Sequence, residues 1–159
     1  MIMAIDPGNE QSAYCLIDCY TYKPIAQGKV DNAELLKLID AYGYHEAVVE
    51  RVAGYGMPVG REVFETCEWV GRFSQAFVER LIPVNYIYRK EEKLCLCGSL
   101  KAKDTNIRAA LIERFAEHDL KNGKGTKSNP DWFYGFSKDI WAAYAVGVTW
   151  LDKRREDAG

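Results

Sequence analysis

Short apolar or alternating runs fill the first part of the chain, and residues 2–6, 12–20 and 24–30 read as three strands, punctuated by Pro7-Gly8-Asn9 and Lys23-Pro24. Asp31 or Asn32 can cap the helix that follows, in which Leu35, Leu36, Leu38 and Ile39 recur at helical spacing until Gly43. Glu46 to Glu50 reads as a buried strand. After a glycine-containing loop over 51–60, Val63, Phe64, Cys67, Val70, Phe73, Phe77, Val78 and Leu81 mark a long helix that ends before Pro83. Val84 to Tyr88 is a fifth strand. A helix capped by Asp104 or Thr105 carries Ile107, Ala110, Leu111, Ile112 and Phe115, residues 121–130 form a polar loop, and a last helix runs from near Ser137 to about Lys153. The order βββαβαβ, then helices, predicts an α/β fold with a mixed five-stranded sheet and helices on both faces.

In sheets of this kind functional groups gather at the C-terminal ends of strands. Asp6 closes the first strand and is followed at once by Pro7-Gly8, Glu50 closes the run Ala47-Val48-Val49, and Asp139 opens the last apolar segment. One such acid is ordinarily a cap or a solvated turn residue. Three at element ends can converge, and hard cations such as Mg²⁺ and Mn²⁺ take carboxylate oxygens aimed at one point.

At 159 residues and 48% hydrophobic, the chain suits one globular domain over residues 1–159. No apolar span approaches the roughly 20 residues of a membrane helix, and no basic leader precedes a cleavage site, so a cytoplasmic protein is expected. The five cysteines are an odd number without secretory features, which argues for reduced thiols. Cys95 and Cys97 share a face if their segment is extended, as do Cys15 and Cys19 in a strand, but neither spacing matches C-x₂-C zinc modules. The two histidines, His45 and His118, are isolated, and Gly54 to Gly60 lacks the spacing of a dinucleotide cradle.

The formal charge of −2 does not by itself announce a nucleic-acid binder. The second half is nevertheless rich in cations, among them Lys93, Lys101, Lys103, Lys124 and Lys127, which would suit a polyanion if the fold sorts them beside the acids. Lys124 and Lys127 lie in the loop before Asp139, where phosphate contact needs no base reading. Tyr55 and Met57 sit among glycines after Glu50, so the loop can offer an aromatic ring to an unstacked base.

Ile5-Asp6-Pro7-Gly8, Val48-Val49-Glu50, the stretch from Lys93 to Lys103 with Gly98, and Asp139 to Val146 together resemble RuvC-like Holliday junction resolvases of the RNase H-like superfamily, more in the manner of the bacteriophage branch. The resemblance implies a homodimer that cuts opposed strands of four-way DNA with two Mg²⁺ or Mn²⁺ ions per active site and leaves 5′ phosphates. It implies metal binding by Asp6, Glu50 and Asp139, a catalytic cation at Lys103 or Lys93, and a junction-opening ring at Tyr55. A second acid three residues from Asp139 is expected from the family, but Ala142 and Phe136 hold those positions, which leaves Asp104, Asp131 or a backbone group to supply a fourth ligand. The alternatives are an RNase H-fold nuclease acting on flaps, forks or hybrids, and a branched-DNA-binding protein that does not cleave.

Overall fold

The computed structural model describes residues 1–159. Its five strands are β1 (Ile2–Asp6), β2 (Gln11–Ile17), β3 (Pro24–Asp31), β4 (Glu46–Arg51) and β5 (Val84–Tyr88), and its helices are α1 (Asn32–Ala41), α2 (Arg61–Glu79), α3 (Arg89–Cys97), α4 (Asp104–Phe115) and α5 (Lys138–Ala158). The sheet order is β3-β2-β1-β4-β5. β1, β2 and β3 pair antiparallel as a meander, and β4 and β5 add in parallel beside β1, giving the expected mixed sheet.

Alternation along the central strands divides the interior in two. Ile2, Ala4, Cys15, Ile17 and Val48 face α5, while Met3, Ile5, Leu16, Ala47 and Val49 face α1 and α2. Helices therefore cover both faces. On the α5 side, Phe133, Phe136, Trp141 and Tyr144 interlock edge to face, and the buried Tyr144 hydroxyl donates to the Tyr22 carbonyl at 2.7 Å. Gly147 of α5 meets the sheet closely: a Cβ there would stand 2.2 Å from the end of Ile17 and 3.0 Å from the Ala4 Cβ. The absent side chain lets the helix lie low over β1.

The segment after β5, to which the sequence pattern assigns no element, is a helix over Arg89–Cys97: Arg, Lys, Glu and Leu are good helix formers, the Glu91 carboxylate caps the Tyr88 N–H at 2.7 Å, and Gly98 closes the helix in the left-handed region at φ 68°. Cys95 and Cys97 consequently leave the helix on opposed sides, and β2 ends at Ile17, short of Cys19. All five thiols are free and no cluster of metal-binding thiols exists. No helix is long and apolar enough to cross a membrane.

Candidate active site

Ile5 pairs with Val49 in the parallel register of β1 and β4. Asp6 and Glu50 come next along each strand, so they stand side by side at two adjacent strand ends. Ala4 and Val48 lie under α5, and the two-residue repeat turns Asp6 and Glu50 to the same face. Their carboxyls come within hydrogen-bonding reach of one another. Burial raises both above the usual carboxylate range; Glu50 and Asp139 push Asp6 further up, while Arg89 opposes the shift in each.

The turn beyond Asp6 is built to hold its backbone. The Gly8 N–H donates to the Ser12 hydroxyl at 3.1 Å, that hydroxyl donates to Asn32 Oδ1 at 2.6 Å, and Asn32 Nδ2 donates to the Gly8 carbonyl at 2.9 Å. Asn32 is buried at the start of α1, which ties the turn to a helix on the other side of the sheet. A Cβ on Gly8 would stand 2.2 Å from the Gln11 carbonyl oxygen, so the backbone approach admits only glycine.

Asp139 arrives from above, in the first turn of α5. With Asp6 it borders an open cleft of about 340 Å³ whose wall includes Gly8, Gln11, Ala13 and Lys29. Lys29 of β3 donates to Asp139 Oδ2 at 2.5 Å.

A fourth carboxylate comes from a residue that sequence reading passed over. Glu92 of α3 is fully buried, Arg89 reaches one of its oxygens at 3.3 Å, and the other oxygen has no hydrogen-bond partner. Burial, with the negative charge of Glu50 and then Asp6, pushes Glu92 up to about 9. Its one legible signal is the spacing of four to Leu96, which packs on the α5-side core once the segment is recognised as a helix. Lys29 and Arg89 were also missed; strand pairing and helix register bring them in, and neither leaves a mark on local sequence.

The alternatives for a fourth ligand are otherwise engaged. Asp131 accepts the backbone N–H groups of Glu117, His118, Asp119 and Trp132 at 2.6–2.9 Å, and although burial opposes it, these bonds hold its carboxyl below the usual range. Asp104 is exposed and ion-paired with Arg89. Asp6, Glu50 and Glu92 offer carboxylate oxygens, one of them buried and unpartnered, which suits a hard divalent cation. As the side chains stand, no three acids close on a common point, and Asp139 is turned to Lys29.

The remaining sequence-selected residues lie on α3 and on the loops after β4, α3 and α4. Tyr55 and Met57 are 60% and 74% exposed at the tip of the loop after β4, where the Met57 N–H donates to the Gly54 carbonyl at 2.9 Å and Tyr55 takes a left-handed backbone with φ 49°. Lys93 is half-buried on α3, and Lys101 and Lys103 are exposed between α3 and α4. The cations that act on the carboxylates are Arg89 and Lys29, not Lys93 or Lys103. Lys124 is half-buried and Lys127 exposed on a loop that is pinned by Asp131 and, at Lys124 and Gly125, by Asp119. None of these five lysines has an acidic partner within 4.0 Å.

Two adjoining hollows share Arg108 and Trp141 and run from Arg89 and Lys138 to Lys121 and Lys124. The Arg108 guanidinium stacks over the Trp141 ring at 5.3 Å and its Nε has no partner. Together they form a basic trough that begins next to Asp139.

No protein-family model and no curated protein matches the sequence. Solved structures do match. Thermus thermophilus RuvC aligns over 98% of this chain and 96% of its own, with a TM-score of 0.70 at 14% identity. The chain has the RuvC fold. T. thermophilus RuvC in complex with a Holliday junction substrate aligns over 98% and 95% of the two chains with a TM-score of 0.68 at 14% identity. A Fowlpox virus resolvase in complex with substrate Holliday junction DNA aligns over 96% and 99%, with a TM-score of 0.59 at 14% identity. The mixed five-stranded sheet is the one expected from the element order, and the RNase H-like fold is the one that the resemblance implied.

Proposed function

We propose that the chain is a divalent-metal-dependent endonuclease that acts on branched DNA and resolves four-way junctions by paired nicks. The observation that carries this reading is the carboxylate centre: Asp6 and Glu50 side by side on adjacent parallel strands, with Asp139 above them. Asp6, Glu50 and Asp139 would hold Mg²⁺ or Mn²⁺, with Glu92 as the fourth acid. A divalent cation held by these acids would lower the pKa of a bound water and offset charge on the departing 3′ oxygen, so that the product would carry a 5′ phosphate.

The chain's own groups prepare that chemistry. Burial of Asp6 and Glu50 makes their negative charge costly until a cation arrives. The trough lined by Lys138, Arg108, Lys124 and Lys121 offers unpaired cations to the phosphates of a duplex arm, without reading sequence. Lys93, Lys101, Lys103 and Lys127 would add further phosphate contacts, and Tyr55 and Met57 stand free to meet a base unpaired at the branch point. Selectivity then follows from shape, because a branched molecule already bends where linear DNA must be forced.

A homodimer with two such centres accounts for cuts in opposed strands. α2 supports it. Opposite its buried face of Val70, Phe73 and Phe77, Phe64 is 60% and Val78 56% exposed, with Cys67 and Gly71 also exposed on the same stripe.

End-labelled four-way junction, fork, flap, RNA–DNA hybrid and linear duplex, incubated with Mg²⁺, Mn²⁺ or chelator, test the reading. Symmetric nicks in the junction alone, lost in Asp6→Asn, support it. Cleavage of flaps, forks or hybrids instead points to the broader nuclease alternative, and binding without products to a non-cleaving protein.

A further inference from the structure

Asp6 pairs with Ala13 and Ala13 pairs with Lys29, so the three stand in one row across β1, β2 and β3. Directly paired residues share a face of a sheet, and Ala13 lies in the core on the α5 side. Asp6 and Lys29 therefore face the same way, about two strand spacings or ~10 Å apart. The methyl of Ala13 leaves the space between them open as the cleft that Asp139 overlooks.

Across that gap Lys29 reaches Asp139, Nζ to Oδ2 at 2.5 Å, with the two side chains 42% and 36% exposed. A pair so open to water contributes little to stability, so it is readily exchanged. Asp139 is thus neutralised by a weak, mobile partner, whereas Asp6 and Glu50, deeper in the site, have no salt-bridge partner. The ammonium lines the cleft on a flexible four-carbon stem. A scissile phosphate entering that cleft beside Asp6 and Asp139 comes within its range.

We propose that Lys29 is the resident counter-cation of this centre: it neutralises Asp139 in the metal-free chain, yields Asp139 to the divalent cation, and then donates to the phosphate of the strand to be cut. The inference rests on the nuclease reading and adds a residue to it. Charge gathers on the phosphate oxygens as the diester breaks, so an ammonium already in the cleft stabilises that state more than the bound substrate.

The test separates the two duties of the lysine. Mn²⁺ binding to the metal-free protein, measured by calorimetry without DNA, is expected to tighten 3- to 10-fold in Lys29→Met, because the competitor is gone. Single-turnover junction cleavage at saturating Mn²⁺ is expected to fall 10-fold or more in the same variant and to recover largely in Lys29→Arg. Undiminished cleavage by Lys29→Met at saturating metal overturns the proposal. Weaker Mn²⁺ binding with a lower melting temperature overturns it as well, since that marks a lysine that only props Asp139. Should the wild type cut no branched DNA, the nuclease reading has failed, and the Mn²⁺ titration still decides the exchange at Asp139.

Discussion

Asp6 and Glu50 share hydrogen-bonding distance although 43 residues separate Asp6 from Val49, the partner of its neighbour Ile5 in the β1–β4 register. Two adjacent acids on a buried strand end destabilise the fold that holds them, and this sets up opposed effects on stability and activity.

Asp6→Asn relieves the repulsion with Glu50 and Asp139 and removes a metal donor. The metal-free variant is expected to melt about 2–4 °C higher than the wild type, the shift that ~1 kcal/mol gives in a chain of this size. Junction cleavage is expected to fall roughly 10²–10³-fold. Scanning calorimetry with a chelator present checks the first part; a lower melting temperature would show that Asp6 stabilises the metal-free fold.

Glu92 gives the centre a pH dependence. Its folded value is raised from 4.5 to about 9, so the stability it contributes is complete below about 4.5 and is lost as pH rises through about 9. In metal-free protein, wild type is expected to lose stability relative to Glu92→Gln between pH 5 and 9, at up to ~1.4 kcal/mol per pH unit. Urea titrations of both proteins across that range measure it, and parallel curves would refute a buried neutral carboxyl.

Tyr55 makes no contact that the fold needs. Tyr55→Ala is expected to leave the melting temperature unchanged and to slow junction cleavage roughly 5- to 150-fold, corresponding to a stacking loss of about 1–3 kcal/mol. Fluorescence of 2-aminopurine at the branch point reports base opening directly; unchanged opening and rate would remove the ring from the mechanism.

The basic loop yields a salt-dependence test. Lys124→Ala and Lys127→Ala are each expected to weaken junction binding and to reduce the slope of log affinity against log salt by about 1. Asp131→Ala frees four backbone N–H groups of that loop and is expected to cost about 1–3 kcal/mol of stability, with Asp131→Asn intermediate. A salt slope unaltered by the lysine changes would exclude phosphate contact there.

The sheet was legible because its strands are short, apolar and bounded by Pro7-Gly8, Lys23-Pro24 and Pro83, and the acids at positions 6, 50 and 139 stood out because each stands at one end of an apolar run. Glu92 was hidden by its setting. It lies in Arg89–Cys97, where charged residues and an alternating Leu-Cys-Leu-Cys mask a helix, so a buried acid looked like one of several surface charges. Lys29 was hidden for another reason: its partner Asp139 is 110 residues away and arrives only through two strand pairings and the docking of α5. Asp131 shows the converse, an acid conspicuous near the site in sequence whose lone pairs serve backbone amides instead.

Those amide bonds have a thermodynamic consequence. A floppy lysine loop gives up about 1–2 kcal/mol of conformational freedom per residue when it settles on a polyanion, but residues 117–132 are already fastened from inside by Asp119 and Asp131. Association with a duplex arm at this edge should proceed as rigid docking, with little loop-ordering entropy set against the release of counterions.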